Sequence, residues 1–88
     1  MECYALAAFR SRQAVIRFDD LLQNSGIRTY IVSTPHSISM GCGLSVRFPC
    51  DDLTTAMELF RKNPESNFIG FYRMEHCNGK IQLTAVRL

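Results

Sequence analysis

The stretch Cys3-Tyr4-Ala5-Leu6-Ala7-Ala8-Phe9 decides the fold, because it is a short apolar run with an aromatic residue near each end. A run of this length without a charged residue is typical of a strand that is buried on both faces. We therefore expect residues 3–9 to form the central strand of a sheet.

The residues that follow this strand predict a helix. Its apolar residues recur at helical spacing and form one stripe: Ala14, Val15, Phe18, Leu21 and Leu22. Ser11 suits the N-cap, because its hydroxyl can accept a hydrogen bond from the first turn. Gly26 suits the position just after the helix, where the backbone often turns left-handed.

Further strands are indicated by composition and by one turn. Ile27–Ser33 is rich in β-branched and aromatic residues, and Leu44–Phe48 alternates apolar with polar residues. Asn78-Gly79 is the strongest hairpin signal, because a type I′ turn needs positive φ at both central residues. It predicts that Phe68–Met74 pairs with Ile81–Val86.

A second helix is predicted between the third and fourth strands. Its stripe is Leu53, Met57 and Phe60, with Ala56 alongside. Asp51 or Asp52 is expected to cap its start, and Asn63-Pro64 to end it.

The predicted order β-α-β-β-α-β with one extra strand indicates an α+β protein. It favours a ferredoxin-like split βαβ sandwich, an antiparallel sheet in the order 5-4-1-3-2 with two helices on one face. We expect residues 1–88 to form a single domain. The predicted core is Tyr4, Leu6, Val15, Phe18, Leu22, Ile31, Val46, Phe48, Leu53, Met57, Phe60, Ile69 and Phe71.

Charge and composition exclude several classes of function. Ten Lys and Arg against eight Asp and Glu give a net charge of +2, scattered along the chain, which does not favour nucleic-acid binding. The sequence begins without the pattern of a signal peptide, and no apolar run is long enough to span a membrane. We therefore expect a cytoplasmic protein that binds neither nucleic acid nor membrane.

The four cysteines are expected to be reduced, because no export signal accompanies them. Cys3 is expected to pack in the core as a free thiol. Cys42 and Cys50 do not combine with His36 or His76 in any spacing typical of a zinc site. We expect no disulfide, no metal and no cofactor.

Cys42 is the candidate functional residue. It stands between Gly41 and Gly43, whose missing side chains leave room for another molecule to approach the sulfur. In the predicted topology its loop lies where the first helix begins. Three residues there are therefore candidate stabilisers of a thiolate: Arg10, Ser11 and Arg12.

The segment Thr34-Pro35-x-x-Ile38-Ser39-x-x-Cys42-Gly43 is followed by an apolar strand with an embedded arginine. It resembles the selenium/sulfur carrier protein-like family of small domains, whose pattern is T-P-R-x-I-S-x-x-C-G. The resemblance is specific from Thr34 to Phe48. It implies that Cys42 accepts sulfur or selenium as a persulfide or its selenium analogue, with Gly41, Gly43, Ser39, Thr34 and His36 in the supporting loop.

A carrier role of this kind implies two protein partners, a cysteine desulfurase-like donor and an acceptor enzyme. The sequence leaves open whether the chain is a monomer or a homodimer. The chain departs from the pattern at His36, which replaces an arginine and is mostly neutral near pH 7. The arm beyond Cys77 is longer than the family leads us to expect.

Other functions compete with a sulfur carrier or thiol sulfurtransferase. The main alternative is a non-catalytic module that binds a ligand or a protein, because a fold of this kind does not determine function. An RNA-recognition domain is disfavoured, since Leu44–Phe48 lacks the aromatic RNA-binding signature. A hydrolase is disfavoured, since a Cys-His pair lacks an orienting group.

Overall fold

The computed structural model of the chain describes residues 2–38 and 43–87. In these residues the elements are β1 (Glu2–Phe9), α1 (Arg12–Asn24), β2 (Tyr30–Ser33), β3 (Leu44–Pro49), a 3₁₀ turn (Cys50–Asp52), α2 (Leu53–Lys62), β4 (Phe68–Cys77) and β5 (Lys80–Val86). Their order agrees with the order that the sequence predicts.

The five strands form one antiparallel sheet in the order β2-β3-β1-β4-β5. This is the predicted order read from the opposite edge, and the α+β class is confirmed. The central strand is β1, where Ala7 lies between Val46 of β3 and Phe71 of β4. Because β1 and β2 both run antiparallel to β3, they run in the same direction.

Alternate residues of β1 are buried on opposite faces of the sheet. Ala5, Ala7 and Phe9 are fully buried in a core to which both helices contribute. Leu6 and Ala8 alternate with them and are also buried, at 1% and 0% exposure. The prediction of a strand buried on both faces is confirmed, and both helices pack on one of those faces.

The ends of α1 are those that the sequence predicts. Ser11 Oγ accepts a hydrogen bond from the backbone N–H of Ala14 at 3.3 Å. At the other end, Gly26 has a φ of 83°, and the Ile27 N–H donates to the Leu22 carbonyl at 3.0 Å. This pattern satisfies carbonyl groups that the last helical turn would otherwise leave unpaired.

The start of α2 differs from the prediction of an aspartate cap. Asp52 occupies the N-cap position, but its side chain forms no capping hydrogen bond. Its backbone has φ −98° and ψ 6°, whereas a capping residue needs an extended backbone. The preceding 3₁₀ turn causes this conformation, and the Leu53 N–H donates to the Cys50 carbonyl instead.

The predicted hairpin is confirmed. Asn78 and Gly79 have φ values of 53° and 77°, the positive angles that a type I′ turn requires. The strands pair from Cys77–Lys80 to Phe71–Val86. This arm is longer than predicted, because β4 continues past Met74 to Cys77.

The core on the helix face is an aromatic cluster. The ring centre of Phe60 lies 4.1 Å from the ring centre of Phe68, 5.7 Å from that of Phe71 and 6.1 Å from that of Phe18. Phe9 joins the cluster from β1, 5.5 Å from Phe18. The predicted core residues that are buried are Leu6, Val15, Phe18, Leu22, Val46, Phe48, Phe60 and Phe71; Leu53 and Met57 pack against this core while partly buried.

Three residues predicted for the core lie outside it. Ile31 is 45% exposed, because β2 is a short strand at the edge of the sheet. Tyr4 is partly buried on the face opposite the helices, since it alternates with Ala5. Ile69 falls at a β-bulge where the pairing register with β1 shifts, so it does not join the cluster.

A disulfide joins Cys3 to Cys50, so the prediction that no cysteine is bonded is wrong. Tyr4 lies opposite Pro49, and the next pair along β1 and β3 brings the two cysteines together, with Cα atoms 5.7 Å apart. The prediction used the missing export signal, whereas the strand register decides the pairing. Cys77 is free and exposed.

We predict that Phe18→Ala lowers the free energy of unfolding by about 3–5 kcal/mol, because it removes a buried ring from the aromatic cluster. Ile16→Ala is the control, since Ile16 lies on the same helix and is 46% exposed. It should cost less than about 1 kcal/mol in urea unfolding. Equal costs would contradict the observed orientation of α1.

We also predict that reducing the disulfide lowers the free energy of unfolding by about 4 kcal/mol, because the bond closes a loop between residues 47 apart in sequence. Urea unfolding with and without reductant measures this difference. Cys77→Ser should leave it unchanged. An identical unfolding midpoint in both conditions would show that the bond does not constrain the chain.

Candidate functional site

The loop that carries Cys42 begins and ends at a fixed stem. The backbone N–H of Thr34 donates to the Gly43 carbonyl at 3.0 Å, which extends the pairing of β2 with β3 beyond Ser33 and Leu44. Three of the predicted site residues, Ser39, Gly41 and Cys42, lie outside the described residues. The described geometry therefore concerns the stem and its surroundings.

Close packing in this stem favours glycine at position 43. A Cβ atom at this position would lie 3.1 Å from Thr34 Oγ1 and 3.5 Å from the Phe9 carbonyl oxygen. Its φ lies outside the left-handed region, so its role is to give space rather than a special backbone angle. The stem lies next to the end of β1, because Leu44 pairs with Phe9.

A buried pair of hydroxyls holds the two sides of the stem. Thr34 Oγ1 and Ser45 Oγ lie 2.8 Å apart, and their residues are 4% and 0% exposed. The sequence identifies Thr34 through the motif but misses Ser45. Alternation in β3 suggests an outward polar residue at position 45, whereas the neighbouring strands bury it.

The loop begins with a turn at residues 35–38. The N–H of Ile38 donates to the Pro35 carbonyl at 2.9 Å. His36 and Ser37 are exposed on this turn. Proline at the first position of such a turn fixes the direction in which the chain leaves β2.

The connection from β1 to α1 lies at the same end of the sheet as the stem. Arg10 and Arg12 are exposed there, and the N–H of Arg10 donates to the Asn67 carbonyl at 2.8 Å. Ser11 caps the helix and is partly buried. The first turn of a helix carries N–H groups without intrahelical partners and a partial positive charge.

An ion pair between Arg17 and Glu65 holds α1 against the rest of the fold. Arg17 donates to both carboxylate oxygens of Glu65, at 2.6 Å and 2.9 Å, and links α1 to the segment between α2 and β4. The hydrogen bond from Arg17 lowers the pKa of Glu65 below its ordinary value, and the bond to Glu65 raises the pKa of Arg17. Since the pKa of Glu65 is lowered, this contribution to stability is lost as the pH falls through it.

The disulfide is remote from the loop. Cys3 and Phe9 are six positions apart on one strand, which separates them by about 20 Å. Arg73 approaches the Cys3 sulfur from β4, with its Nη2 at 3.9 Å. The disulfide and the stem formed by Thr34 and Gly43 therefore lie at opposite ends of β1.

We find no grouping of three His, Cys, Asp or Glu side chains suited to a metal ion within residues 2–38 and 43–87. In the same ranges no helix has the length and apolar character that a membrane crossing requires.

We predict that Thr34→Val destabilises the protein by about 1–3 kcal/mol, because it leaves the buried Ser45 hydroxyl without its partner. The double variant Thr34→Val, Ser45→Ala removes both hydroxyls and should recover most of the loss. Thermal unfolding of the four members of this cycle measures the coupling. Additive losses would show that the two hydroxyls do not stabilise the stem together.

A family model described as "Putative Se/S carrier protein-like" matches residues 4–73. The match covers more than half of the chain, so the chain belongs to this family. It reaches further than the motif segment and ends within β4 at Arg73, before Cys77 and β5. No curated protein sequence matches the chain.

Proposed function

We propose that Cys42 accepts a sulfur or selenium atom, as a persulfide or its selenium analogue, and passes it to an acceptor enzyme. The observation that carries this proposal is membership of the Se/S carrier protein-like family. Cys42 stands between Gly41 and Gly43 in the sequence, and neither neighbour has a side chain that would shield the sulfur. A thiol with such neighbours suits attack on a group held by another protein.

The proposed transfer conserves electrons. The Cys42 thiolate attacks the terminal sulfur of a persulfide on the donor enzyme, and a new S–S bond forms. The S–S bond of the donor breaks, and its electron pair leaves with the donor cysteine as a thiolate. A nucleophile of the acceptor then attacks the terminal sulfur on Cys42 and releases the Cys42 thiolate again. No external oxidant or reductant is consumed.

The surroundings of the stem support a thiolate at Cys42. The stem contacts the end of β1 at Phe9, and α1 begins three residues later at Arg12. Arg10 and Arg12 bring two exposed cations to this end of the sheet, and the helix start adds a partial positive charge. Positive charge favours the thiolate over the thiol.

The proposal includes partners and a setting. A cysteine desulfurase-like enzyme would donate the atom and a second enzyme would accept it, with the carrier working in the cytoplasm as one small domain. The observed strand order supports a ferredoxin-like sandwich. In this reading His36 replaces the fixed cation of the family pattern, so the loop relies on Arg10 and Arg12 for positive charge.

We predict that incubation with a cysteine desulfurase and cysteine adds the mass of one sulfur atom to the intact protein. Cys42→Ser should abolish the gain, because it removes the attacking thiol. Cys77→Ser is the matched control, since Cys77 is free and exposed, and it should keep the gain.

Two outcomes would oppose the carrier function. One is a gain that survives Cys42→Ser and disappears with Cys77→Ser. The other is the absence of any gain while the desulfurase loads a known acceptor in the same mixture. The second outcome would favour the alternative of a non-catalytic binding module.

We also predict that the pKa of Cys42 lies below the reference value of about 8.5 for a free cysteine. Alkylation rate against pH measures it in Cys77→Ser protein, where the disulfide protects the other two cysteines. The double variant Arg10→Ala, Arg12→Ala should raise the pKa of Cys42, because it removes two positive charges that favour the thiolate. Arg28→Ala is the control, because Arg28 precedes β2 at the opposite end of the sheet. A pKa at or above the reference would leave activation of the thiol to the partner enzyme.

A further inference from the structure

Arg47 lies on the sheet face opposite the helices, at the centre of an aromatic clamp. In β3 it is opposite Leu6 of β1 and Tyr30 of β2. Its guanidinium carbon lies 4.7 Å from the ring centre of Tyr4 and 4.9 Å from that of Tyr30. Both distances are within the range of cation–π attraction. Both rings therefore contact the guanidinium through cation–π attraction, which does not use its N–H groups as hydrogen-bond donors.

A cavity of about 180 Å³ adjoins this clamp. Its lining consists of Tyr4, Arg28, Tyr30, Arg47, Phe48 and Pro49. Two of these lining residues are cations and none is acidic, a composition that favours an anionic ligand over a cationic one. Arginine side chains carry only donors, and tyrosine hydroxyls can donate as well.

One donor in the clamp has no acceptor. Nε of Arg47 is buried and forms no hydrogen bond within the described part of the chain. A buried donor without a partner is unfavourable, and more so when the group is charged. The cation–π contacts do not remove this cost, because an aromatic ring does not supply the oxygen acceptor that the N–H group lacks.

We propose that this cavity, the Arg28–Arg47 cavity, binds a phosphate-sized oxyanion. Two oxygens of the anion would accept from Nε and the neighbouring Nη of Arg47, the paired geometry in which arginine binds phosphate and carboxylate. Arg28 adds a second charge from the start of β2. Because Nε is buried, the anion would reach it only after a neighbouring side chain moves, and Tyr30, which is 51% exposed on the edge strand, is the one we propose to move.

The site is separate from the Cys42 loop. Tyr4 and Phe9 are five positions apart on β1, which places the cavity about 17 Å from the stem of that loop. Oxyanion binding at this cavity can therefore be tested independently of sulfur transfer at Cys42. Cys42→Ser should bind the anion as the unchanged protein does.

The test is a titration with inorganic phosphate at constant ionic strength, followed through the Nε–H signals of the arginines in an NMR spectrum. The signal of Arg47 should shift with saturation, and that of Arg61 should not, because Arg61 lies in the last turn of α2, remote from the cavity. Arg28→Gln should weaken binding by about tenfold. Arg47→Lys should do the same, since lysine cannot offer a paired edge.

Arg61→Gln is the matched control for net charge, and it should change the dissociation constant less than twofold, about the effect of a remote charge. Arg28 is exposed, so Arg28→Gln tests the site even if Arg47→Lys unfolds the protein. Equal, unsaturable shifts at all arginines would overturn the proposal, as would equal weakening by Arg28→Gln and Arg61→Gln.

A second titration, with glycerol phosphate, distinguishes free phosphate from the phosphate group of a larger molecule as the natural ligand. Binding as tight as that of inorganic phosphate, or tighter, supports the phosphate group of a larger molecule as the natural ligand. Binding that is weaker by tenfold or more supports the free anion. If neither compound shifts the Arg47 signal, the site does not bind phosphate in either form.

Discussion

The pairing register of β1 with β3 is the constraint on which the other features depend. It sets Phe9 opposite Leu44 at one end and Tyr4 opposite Pro49 at the other. At the first end, Gly43 is thereby brought against the Phe9 carbonyl, beside the start of α1. At the second end, Cys3 meets Cys50 and forms a disulfide.

If β3 slipped by one residue against β1, each side chain of β3 would move to the opposite face of the sheet, because side chains in a strand alternate between the two faces. Val46 and Phe48 would leave the helix-side core, and Arg47 would enter it from the face where Tyr4 and Tyr30 now hold it. Burial of β1 on both faces opposes such a slip. The same register therefore stabilises the core and separates the disulfide from the stem formed by Thr34 and Gly43.

Local features could be predicted from the sequence, while features that depend on register could not. Ser11, Gly26 and Asn78-Gly79 act through their own backbone angles and nearest hydrogen bonds, and the structure confirms each of them. The disulfide depends on the register in which β1 pairs with β3, and the exposure of Ile31 depends on β2 being only four residues long at the edge of the sheet. Composition and spacing do not contain that information. The supporting role of Ser45 was missed for the same reason, because only the strands on either side of β3 make it buried.

The proposed function gives Cys42 a sulfur-accepting thiol, whereas Cys3 and Cys50 form a closed disulfide. Peptide mapping by mass spectrometry, after exposure to a persulfide donor without reductant, tests this division most directly. The account predicts the added sulfur on the peptide that contains Cys42, with the Cys3 and Cys50 peptides still linked. Added sulfur on Cys3 or Cys50, with their link broken and the Cys42 peptide unmodified, would contradict it.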